Sequence, residues 1–495
     1  MDSYDDIPYQ SHAIPETHPQ ALAALARLSG IESANPQQCR VLELACASGG
    51  NLIPMAWQLP GSQFVGIDLS AVQIHEGQQR IAQTGLTNIQ LQTGDILDYQ
   101  PEGPFDYIIA HGVYSWVPEA VRSAILRLCQ QHLSPQGIAY ISYNTLPGWR
   151  MRGMLRDSLL HSVDRQSAPA ARLAAAHHFL NRFEQGLGDI DALHSEYLRH
   201  EIGHIRSTHP SYLYHEYLAE TNQPFLYRQF VADAAGHGLK PFGDARLHTL
   251  FAATLGEHAA EMVEDGDSPL ERQQRYDFLV NRNFRQSLLC RSELPSLDEP
   301  SPEAFARLAL FSTLQPPRKL DLRKAKPQPF TDTHGQQHPV SHPLSKVALS
   351  LLARAQPAAL AYPELEAQAQ HLLMQQGDPR FAAQPEHLFG ELFMLYAHQH
   401  IGASPEPEAM PSVNLSTPAV CPHARVEAPL GQLTGRHHRT LRLGRDEMQL
   451  IALLDGTRDR EALLTSLNTA REGKPLDKDW LALSLQRLVA EGVLS

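Results

Sequence analysis

Residues 40–51 read RVLELACASGGN, and this stretch decides the fold: a short apolar run ends at Leu44 and a glycine-rich turn follows it. Similar apolar runs lie at 63–68, 89–92, 105–110 and 137–143, and helical patterns lie between them at 51–58, 71–84 and 118–132. Short and nearly continuous apolar runs are typical of strands buried on both faces of a parallel sheet. Strict alternation of strand and helix therefore predicts a doubly wound, Rossmann-like α/β sheet.

The composition of the turn separates two classes of cofactor. A dinucleotide site has Gly-x-Gly-x-x-Gly because its pyrophosphate needs bare backbone, whereas the aligned residues here are Ala45, Ala47 and Gly50. S-adenosylmethionine has no pyrophosphate, and needs an acceptor for its ammonium group and donors for its carboxylate. The glutamate before the turn, the turn backbone and the helix start can supply these groups. The cofactor candidates in this stretch are Glu43, Ala45, Cys46, Ala47, Gly49 and Asn51.

Two further acidic residues follow the next two strands in the same way. Asp68 ends the run VGIDLS, where a carboxylate can accept both ribose hydroxyls. Asp95 stands in Gly-Asp-Ile after the third strand, where it can accept the adenine amino group. Leu69 and Ile96 can enclose the flat ring between them. This order of strand, turn, helix and acid predicts an S-adenosylmethionine site rather than an α/β domain in which the acids only cap helices.

Residues that face the reactive end of the cofactor should come from the carboxyl ends of the fourth and fifth strands. The catalytic candidates there are His111, Tyr114, Tyr143 and Asn144. His111 is a general base, a contact to the cofactor or a hydrogen-bonded structural residue. Trp116 is expected to line the slot for the methyl acceptor, with helix-start packing as its alternative.

Two other segments are expected near the same cleft. Tyr4, in the N-terminal stretch, is expected to fold over the cofactor as part of a lid. The stretch YLYHEYL at 212–218 offers Tyr212, His215 and Glu216 as substrate-binding candidates, with core packing of its aromatic rings as the alternative.

The remainder of the chain suggests three more units after a core at residues 1–150. Residues 151–293 read as a helical insertion, with late strand candidates at 239–247 and 284–291 that complete the core sheet. Residues 294–405 read as a proline-rich linker and a helical middle domain. Residues 406–495 combine a short strand candidate with three helical patterns, and we expect a mostly helical, winged-helix-like C-terminal domain.

Composition excludes several classes of protein. With 41 Lys+Arg against 54 Asp+Glu, the formal charge of −13 argues against a nucleic-acid partner. Five cysteines without a C-x-x-C pair indicate a reducing, cytoplasmic environment. The N-terminal stretch is acidic and rich in proline, unlike a signal peptide, and no apolar run is long enough to predict a membrane span.

One motif points to a different chemistry. His200, Glu201 and His204 match H-E-x-x-H, which on a helix would place two zinc ligands and a general base on one face. Position 210 of the extended motif is Pro210 rather than histidine, and the match lies away from the strand ends. We therefore expect no bound metal and a partly exposed polar helix.

Nine segments together resemble the class I methyltransferase family with an attached regulatory domain. They are SYDDIPY…THP (3–19), VLELACASGGNLIPMA (41–56), FVGIDLS (64–70), GDI (94–96), AHGVYSWVP (110–118), SYNTLPGW (142–149), YLYHEYL (212–218), FRQSLLCR (284–291) and LLDGTRDREALL (453–464). The best understood members of that family are bacterial protein lysine methyltransferases that act on an outer-membrane protein of rickettsiae. The resemblance implies a methyltransferase core, a middle domain and a winged-helix-like domain, S-adenosylmethionine as cofactor and a protein lysine as acceptor.

The resemblance leaves alternatives open. The acceptor is a protein lysine or a small molecule, and a third interpretation is a cofactor-sensing protein without turnover. A homodimer is also compatible with the C-terminal units. Ala45 stands where the family has glycine, so we expect a strained turn if its φ is positive, and slightly weaker cofactor binding.

Overall fold

A seven-stranded sheet forms the centre of the molecule, in the order β3-β2-β1-β4-β5-β7-β6. The computed structural model describes Ile7 and residues 11–494, apart from 334, 470, 472 and 473. The strands are β1 (Arg40–Leu44), β2 (Gln63–Asp68), β3 (Ile89–Thr93), β4 (Phe105–Ala110), β5 (Leu133–Asn144), β6 (Leu239–Asp244) and β7 (Phe284–Arg291). β1 to β5 pair in parallel, and β7 is antiparallel to both β5 and β6. The doubly wound sheet predicted from the sequence is confirmed, and both late strand candidates join it.

Helices cover both faces of this sheet because its central strands are apolar on both sides. On β4, Tyr107 and Ile109 belong to one core cluster, whereas Ile108 and Ala110 belong to another. Successive side chains of a strand point to opposite faces, so the two clusters are the two layers of the fold. The first helices are α1 (Pro19–Leu28), α2 (Leu52–Gln58), α3 (Ala71–Thr84) and α4 (Glu119–His132).

The segment between β5 and β6 adds a helical layer over the carboxyl ends of the strands. Its helices are α5 (Leu146–Ser162), α6 (Pro169–Gly188), α7 (Leu193–Ser207) and, after a short turn at Pro210–Tyr212 and a π-helical turn at Leu213–Tyr217, α8 (Tyr227–Gly236). These helices enclose a core cluster of their own that includes Leu155, Leu180 and Ile202. Between β6 and β7 lie α9 (Glu257–Glu264) and α10 (Pro269–Leu279).

The last third of the chain is mostly helical. Its helices are α11 (Pro343–Ala355), α12 (Tyr362–Gln376), α13 (Pro385–Ala397), α14 (Pro422–Glu427), α15 (Arg445–Leu453), α16 (Arg460–Thr469) and α17 (Lys478–Ala490). The short strands are β8 (Ala309–Phe311), β9 (Gln328–Thr331), β10 (Gln337–Val340), β11 (Leu360–Ala361), β12 (Gly402–Ser404), β13 (Gln432–Thr434) and β14 (Thr440–Arg442). Helices α11 to α13 extend the core beneath the sheet, whereas residues after 419 have a separate core cluster. Within the described residues, no helix is both long and apolar enough to cross a membrane.

Candidate active site

A cleft of about 500 Å³ lies at the carboxyl ends of the parallel strands. In open α/β sheets, ligands bind at this edge because the loops that follow the strands diverge there. One half of the cleft is lined by the turns after β1, β2 and β3, and the other half by the helical insertion and the start of β7. We refer to these as the cofactor half and the acceptor half.

The turn after β1 is held in a left-handed conformation by residues other than glycine. φ is +60° at Ala45 and +50° at Ala47, a region that costs a residue with a Cβ atom about 1–2 kcal/mol. The Ala47 N–H donates to Oδ2 of Asp68 at 2.8 Å, so the end of β2 fixes the turn. Gly50 is required for a different reason, since a Cβ atom there would lie 2.4 Å from the Ser11 backbone. The positive φ at Ala45 therefore meets the condition under which the sequence predicts strain.

Asp68 is oriented by backbone donors on both sides. Besides Ala47, the Ser70 N–H donates to its Oδ1 at 2.9 Å. The same serine caps α3, because its side chain accepts from the Gln73 N–H. The structure brings Asp68, Leu69, Asp95 and Ile96 together on the wall of the cleft. Their roles towards a ribose and an adenine ring remain predictions.

Glu43 and Asn51 lie behind the turn rather than on the wall of the cleft. Glu43 is buried, and its Oε1 accepts from Nδ2 of Asn51 at 2.8 Å. Its Oε2 is also buried and accepts no hydrogen bond from any described residue. Burial raises the pKa of Glu43 to about 8, and the hydrogen bond from Asn51 opposes that increase. An unsatisfied carboxylate oxygen next to this turn fits a cofactor that carries an ammonium group. Cys46 and Gly49 likewise support the turn from behind, and neither lines the cleft.

His111 lines the cleft with a ring that burial keeps neutral. Burial lowers its pKa to about 3, and nearby His12 and Arg246 lower it further. Its Nδ1 lies 2.9 Å from the hydroxyl of Tyr140, and its edge meets the ring of Phe284. A base with so low a pKa cannot remove a proton from an ammonium group efficiently near neutrality. The geometry therefore favours a contact role for His111 over general base catalysis.

Tyr114 and Tyr143 do not reach the cleft, which corrects the expectation that they face the substrate. Each is about 1% exposed. Tyr143 stacks on Phe230 at 4.1 Å, and its hydroxyl lies 3.1 Å from Oγ of Ser287. Successive side chains of β5 point to opposite faces, so that Asn144 alone of this pair lines the cleft. Tyr114 packs edge-on against the same Phe230 ring.

The acceptor half contains all of the expected substrate-binding residues. Trp116, Tyr212, His215 and Glu216 line it together with Asn144. His215 and Glu216 stand on the π-helical turn, a form of backbone frequent at functional sites. Burial raises the pKa of Glu216 to about 7, against the opposing effect of Arg152. His215 Nε2 lies 2.7 Å from the carbonyl oxygen of Ile7, which ties the N-terminal segment to this wall.

Among the polar and aromatic residues of this half, three were not expected from the sequence: Arg152, Asn283 and Phe284. Phe284 pairs with Asn144 across β5 and β7, so an antiparallel register for the late strand would have located it. Arg152 stands inside α5, and no sequence signal marks it. Its Nε lies 3.0 Å from Oε1 of Glu201, which also accepts from the Tyr217 hydroxyl.

The H-E-x-x-H segment at 200–204 does not line the cleft. Tyr4 lies outside the described residues. In the H-E-x-x-H segment, Glu201 is bound by Arg152 and Tyr217, and the ring of His204 meets Tyr212 edge-on. Among the described residues, no group of three or more side chains is arranged to hold a metal ion.

Three families match separate parts of the chain. Residues 41–137 match a methyltransferase domain, and residues 209–291 match a predicted methyltransferase regulatory domain. Residues 416–478 match the PKMT C-terminal winged helix domain. The second match covers the π-helical turn, β6 and β7, and the third covers the part of the separate C-terminal core that precedes α17.

Two relatives by sequence and one solved structure come from rickettsiae. An uncharacterized protein of Rickettsia prowazekii is 38% identical over 292 residues, 59% of this chain and 53% of that protein, so that the alignment spans about half of the relative. A second one is 35% identical over 48% of this chain and 95% of its own length. The structure of PKMT2 from Rickettsia typhi, also solved with AdoHcy, superposes with a TM-score of 0.85 at 25% identity, over 98% of this chain and 100% of that one. The chain therefore belongs to the class I methyltransferases that carry a methyltransferase regulatory domain and a PKMT winged-helix domain, and it is an enzyme that uses S-adenosylmethionine.

Proposed function

We propose that this methyltransferase transfers its methyl group to the side-chain amine of a lysine in a protein. The observation that carries the proposal is the carboxylate of Glu216 in the acceptor half, which the rings of Trp116 and Tyr212 also line. A carboxylate among aromatic rings suits a cation on a flexible apolar stem, which is the form of a lysine side chain. The structural similarity to PKMT2 supports the same class of acceptor.

The charge of the acceptor half favours an amine over an acidic small molecule. Arg152 supplies the one guanidinium or ammonium group among the described residues that line the cleft. It is already paired with Glu201 at 3.0 Å. A polyanionic substrate would need further cations, because burying an unpaired carboxylate is costly.

The reaction needs a neutral amine. Lysine has an ordinary pKa near 10.4, so it must lose a proton before its nitrogen attacks. The apolar surroundings of the acceptor half lower the pKa of a bound ammonium group. With a pKa of about 7, Glu216 is poised to attract the ammonium as a carboxylate and to accept its proton. The cofactor supplies the activated methyl group, and Asn144 and Glu216 align the amine for in-line attack.

The test is methyl transfer from labelled S-adenosylmethionine to cell proteins, with Glu216→Gln beside the wild type. We expect at least about 100-fold slower labelling in the variant, since general acid–base groups contribute about 10²–10⁴ in rate, and unchanged binding of S-adenosylhomocysteine. Glu220→Gln is the matched control, because Glu220 lies one turn away and is exposed. Label on a residue other than lysine would contradict the proposal.

The alternatives give distinct results in the same assay. A small-molecule methyltransferase would leave the label in the acid-soluble fraction, and a sensing protein would form no S-adenosylhomocysteine with any acceptor. The homodimer and the domain boundaries remain predictions. Mass by light scattering tests the first, and limited proteolysis near residues 294 and 406 tests the second.

A further inference from the structure

The C-terminal unit, residues 416–494, packs on the two helices that begin at the cofactor half. Helix α14 contacts both α2 and α3. Trp57 of α2 stacks on His423 of α14, with 5.5 Å between the ring centroids. Gln58, the last residue of α2, donates from its Nε2 to the carbonyl oxygen of Gly435 at 2.6 Å. Because α2 follows the turn after β1 and α3 follows Asp68, this contact reaches the support of the cofactor site rather than a distant face.

His438, in the loop between β13 and β14, extends furthest into that contact. It is fully buried, and its φ is +59°. Its Nε2 lies 2.8 Å from Oδ1 of Asn51, and its Nδ1 lies 3.1 Å from the side-chain amide of Gln58. Burial lowers the pKa of His438 well below its ordinary value, so the ring is neutral and donates one proton. A left-handed conformation at a residue other than glycine persists only where its surroundings fix it.

Asn51 connects this histidine to the carboxylate behind the cofactor turn. Its Oδ1 accepts from His438 and from the Ile14 N–H, at 2.8 and 2.9 Å. These two donors fix which end of the amide faces which partner. Its Nδ2 is therefore directed to Oε1 of Glu43 at 2.8 Å and to Oγ1 of Thr17 at 2.9 Å. The second oxygen of Glu43 is left without a partner among the described residues, next to the turn.

We propose that His438 is a positioning residue for the cofactor: through Asn51 it orients Glu43, so that the C-terminal unit completes the S-adenosylmethionine site of the methyltransferase core. The consequence is that affinity for the cofactor depends on the contact that the loop between β13 and β14 makes with Asn51. Groups that do not touch a ligand but orient those that do change affinity by about tenfold or more. The cofactor site then depends on residues near both ends of the sequence, Glu43 and Asn51 on one side and His438 on the other.

The experiment measures the Kd for S-adenosylhomocysteine by isothermal titration on the full chain. We expect His438→Leu to weaken binding about tenfold, because one of the buried hydrogen bonds that hold the Asn51 side chain is lost. His438→Gln retains a donor for Asn51 and is expected to restore most of the affinity. Thermal unfolding of each variant without ligand reports whether the fold is intact.

His437→Leu is the matched control. The neighbouring histidine stacks on Phe311 and lies 2.9 Å from the carbonyl oxygen of Pro357, so it holds the C-terminal unit to the middle of the chain instead. We expect its Kd to equal that of the wild type. Equal weakening in both variants, or none in His438→Leu, overturns the proposal. If His438→Leu does not fold, Gln58→Ala takes its place; it removes the other contact of His438, and an unchanged Kd there also overturns the proposal.

Discussion

The two halves of the cleft are built in different ways. The cofactor half comes from one stretch of chain, from Ala45 to Ile96, and its key groups are turns at the ends of β1, β2 and β3. The acceptor half is assembled from side chains on the β4–α4 loop, β5, α5, the π-helical turn and the start of β7. One half depends on backbone conformation, and the other depends on how helices from distant segments pack.

This difference determines what each half can tolerate. Backbone turns at strand ends persist as long as the sheet persists, and they change little when the helices above them move. Side chains on separate helices keep their spacing only if each helix is held in place. We therefore expect substitutions in the insertion to alter transfer to the acceptor before they alter cofactor binding.

The largest expected effect is on the support of the acceptor half. Arg285, on β7, makes two hydrogen bonds of 2.8 Å to Asp277 and lies 3.5 Å from Asp244, all in the protein interior. Arg285→Met leaves the buried carboxylates of Asp277 and Asp244 with the Arg282 guanidinium but without that of Arg285, and we expect the free energy of unfolding to fall by about 3 kcal/mol. Chemical denaturation measures this loss.

The exposed Arg228→Met on α8 is the control for the same change of side chain and should alter stability by less than about 0.5 kcal/mol. If the comparison of the halves holds, folded Arg285→Met still binds S-adenosylhomocysteine but transfers methyl groups poorly, because Phe284 begins the same strand and lines the cleft. Loss of both properties to the same extent would contradict it.

The next effect concerns the cofactor half alone. Asp68→Ala removes a carboxylate that accepts from the Ala47 and Ser70 N–H groups and faces the cleft. We expect the Kd for S-adenosylhomocysteine to rise about 100-fold, since hydrogen bonds to a charged group contribute about 1.5–3 kcal/mol. Asp98→Ala, at an exposed position in the turn after β3, should leave the Kd unchanged. If Asp68→Ala binds S-adenosylhomocysteine with the Kd of the wild type, Asp68 does not hold the ribose.

The same contrast explains what the sequence could predict. The five parallel strands, the exact span of α3 and the wall from Asp68 to Ile96 follow from local patterns of apolar runs, turns and acids. The prediction that Tyr143 faces the substrate is wrong. Successive side chains of β5 alternate between two faces, and the sequence does not show that Asn144, rather than Tyr143, takes the face of the cleft. Arg152 and His438 carry no local signal, because their roles come from contacts with Glu201 and Asn51 that only tertiary packing creates.

A smaller effect is a pH dependence of cofactor binding. The pKa of Glu43 is about 8 because of burial, and an ammonium group beside its carboxylate would lower that value. Binding should therefore release a proton. As the pH rises from 6 to 8, the Kd for S-adenosylhomocysteine should fall by up to about tenfold per pH unit. Isothermal titration at three pH values in buffers of different ionisation enthalpy measures both quantities.

Stability without ligand should change in the opposite sense. The pKa of Glu43 is raised on folding, so its contribution to stability is complete below pH 4.5 and is lost as the pH rises through about 8. Glu43→Gln should remove both dependences while it keeps the buried side chain in place. A Kd that depends on pH equally in Glu43→Gln would assign the proton to another group.

The smallest expected effect is a change in stability that tests the backbone strain in the turn after β1. Ala45 has a φ of +60°, so Ala45→Gly should relieve strain of about 1 kcal/mol in the turn and raise the unfolding temperature slightly. The same change at an exposed position in the last turn of α3, Ala82→Gly, should instead cost about 0.5 kcal/mol, because glycine is a poor helix former. Opposite signs for one chemical change identify the conformation of the turn as the cause. If Ala45→Gly also binds S-adenosylhomocysteine more tightly, the turn is relaxed towards the shape that the cofactor requires; if the protein becomes more stable and the Kd stays constant, the cofactor half already has that shape, and the strain is borne by the protein alone.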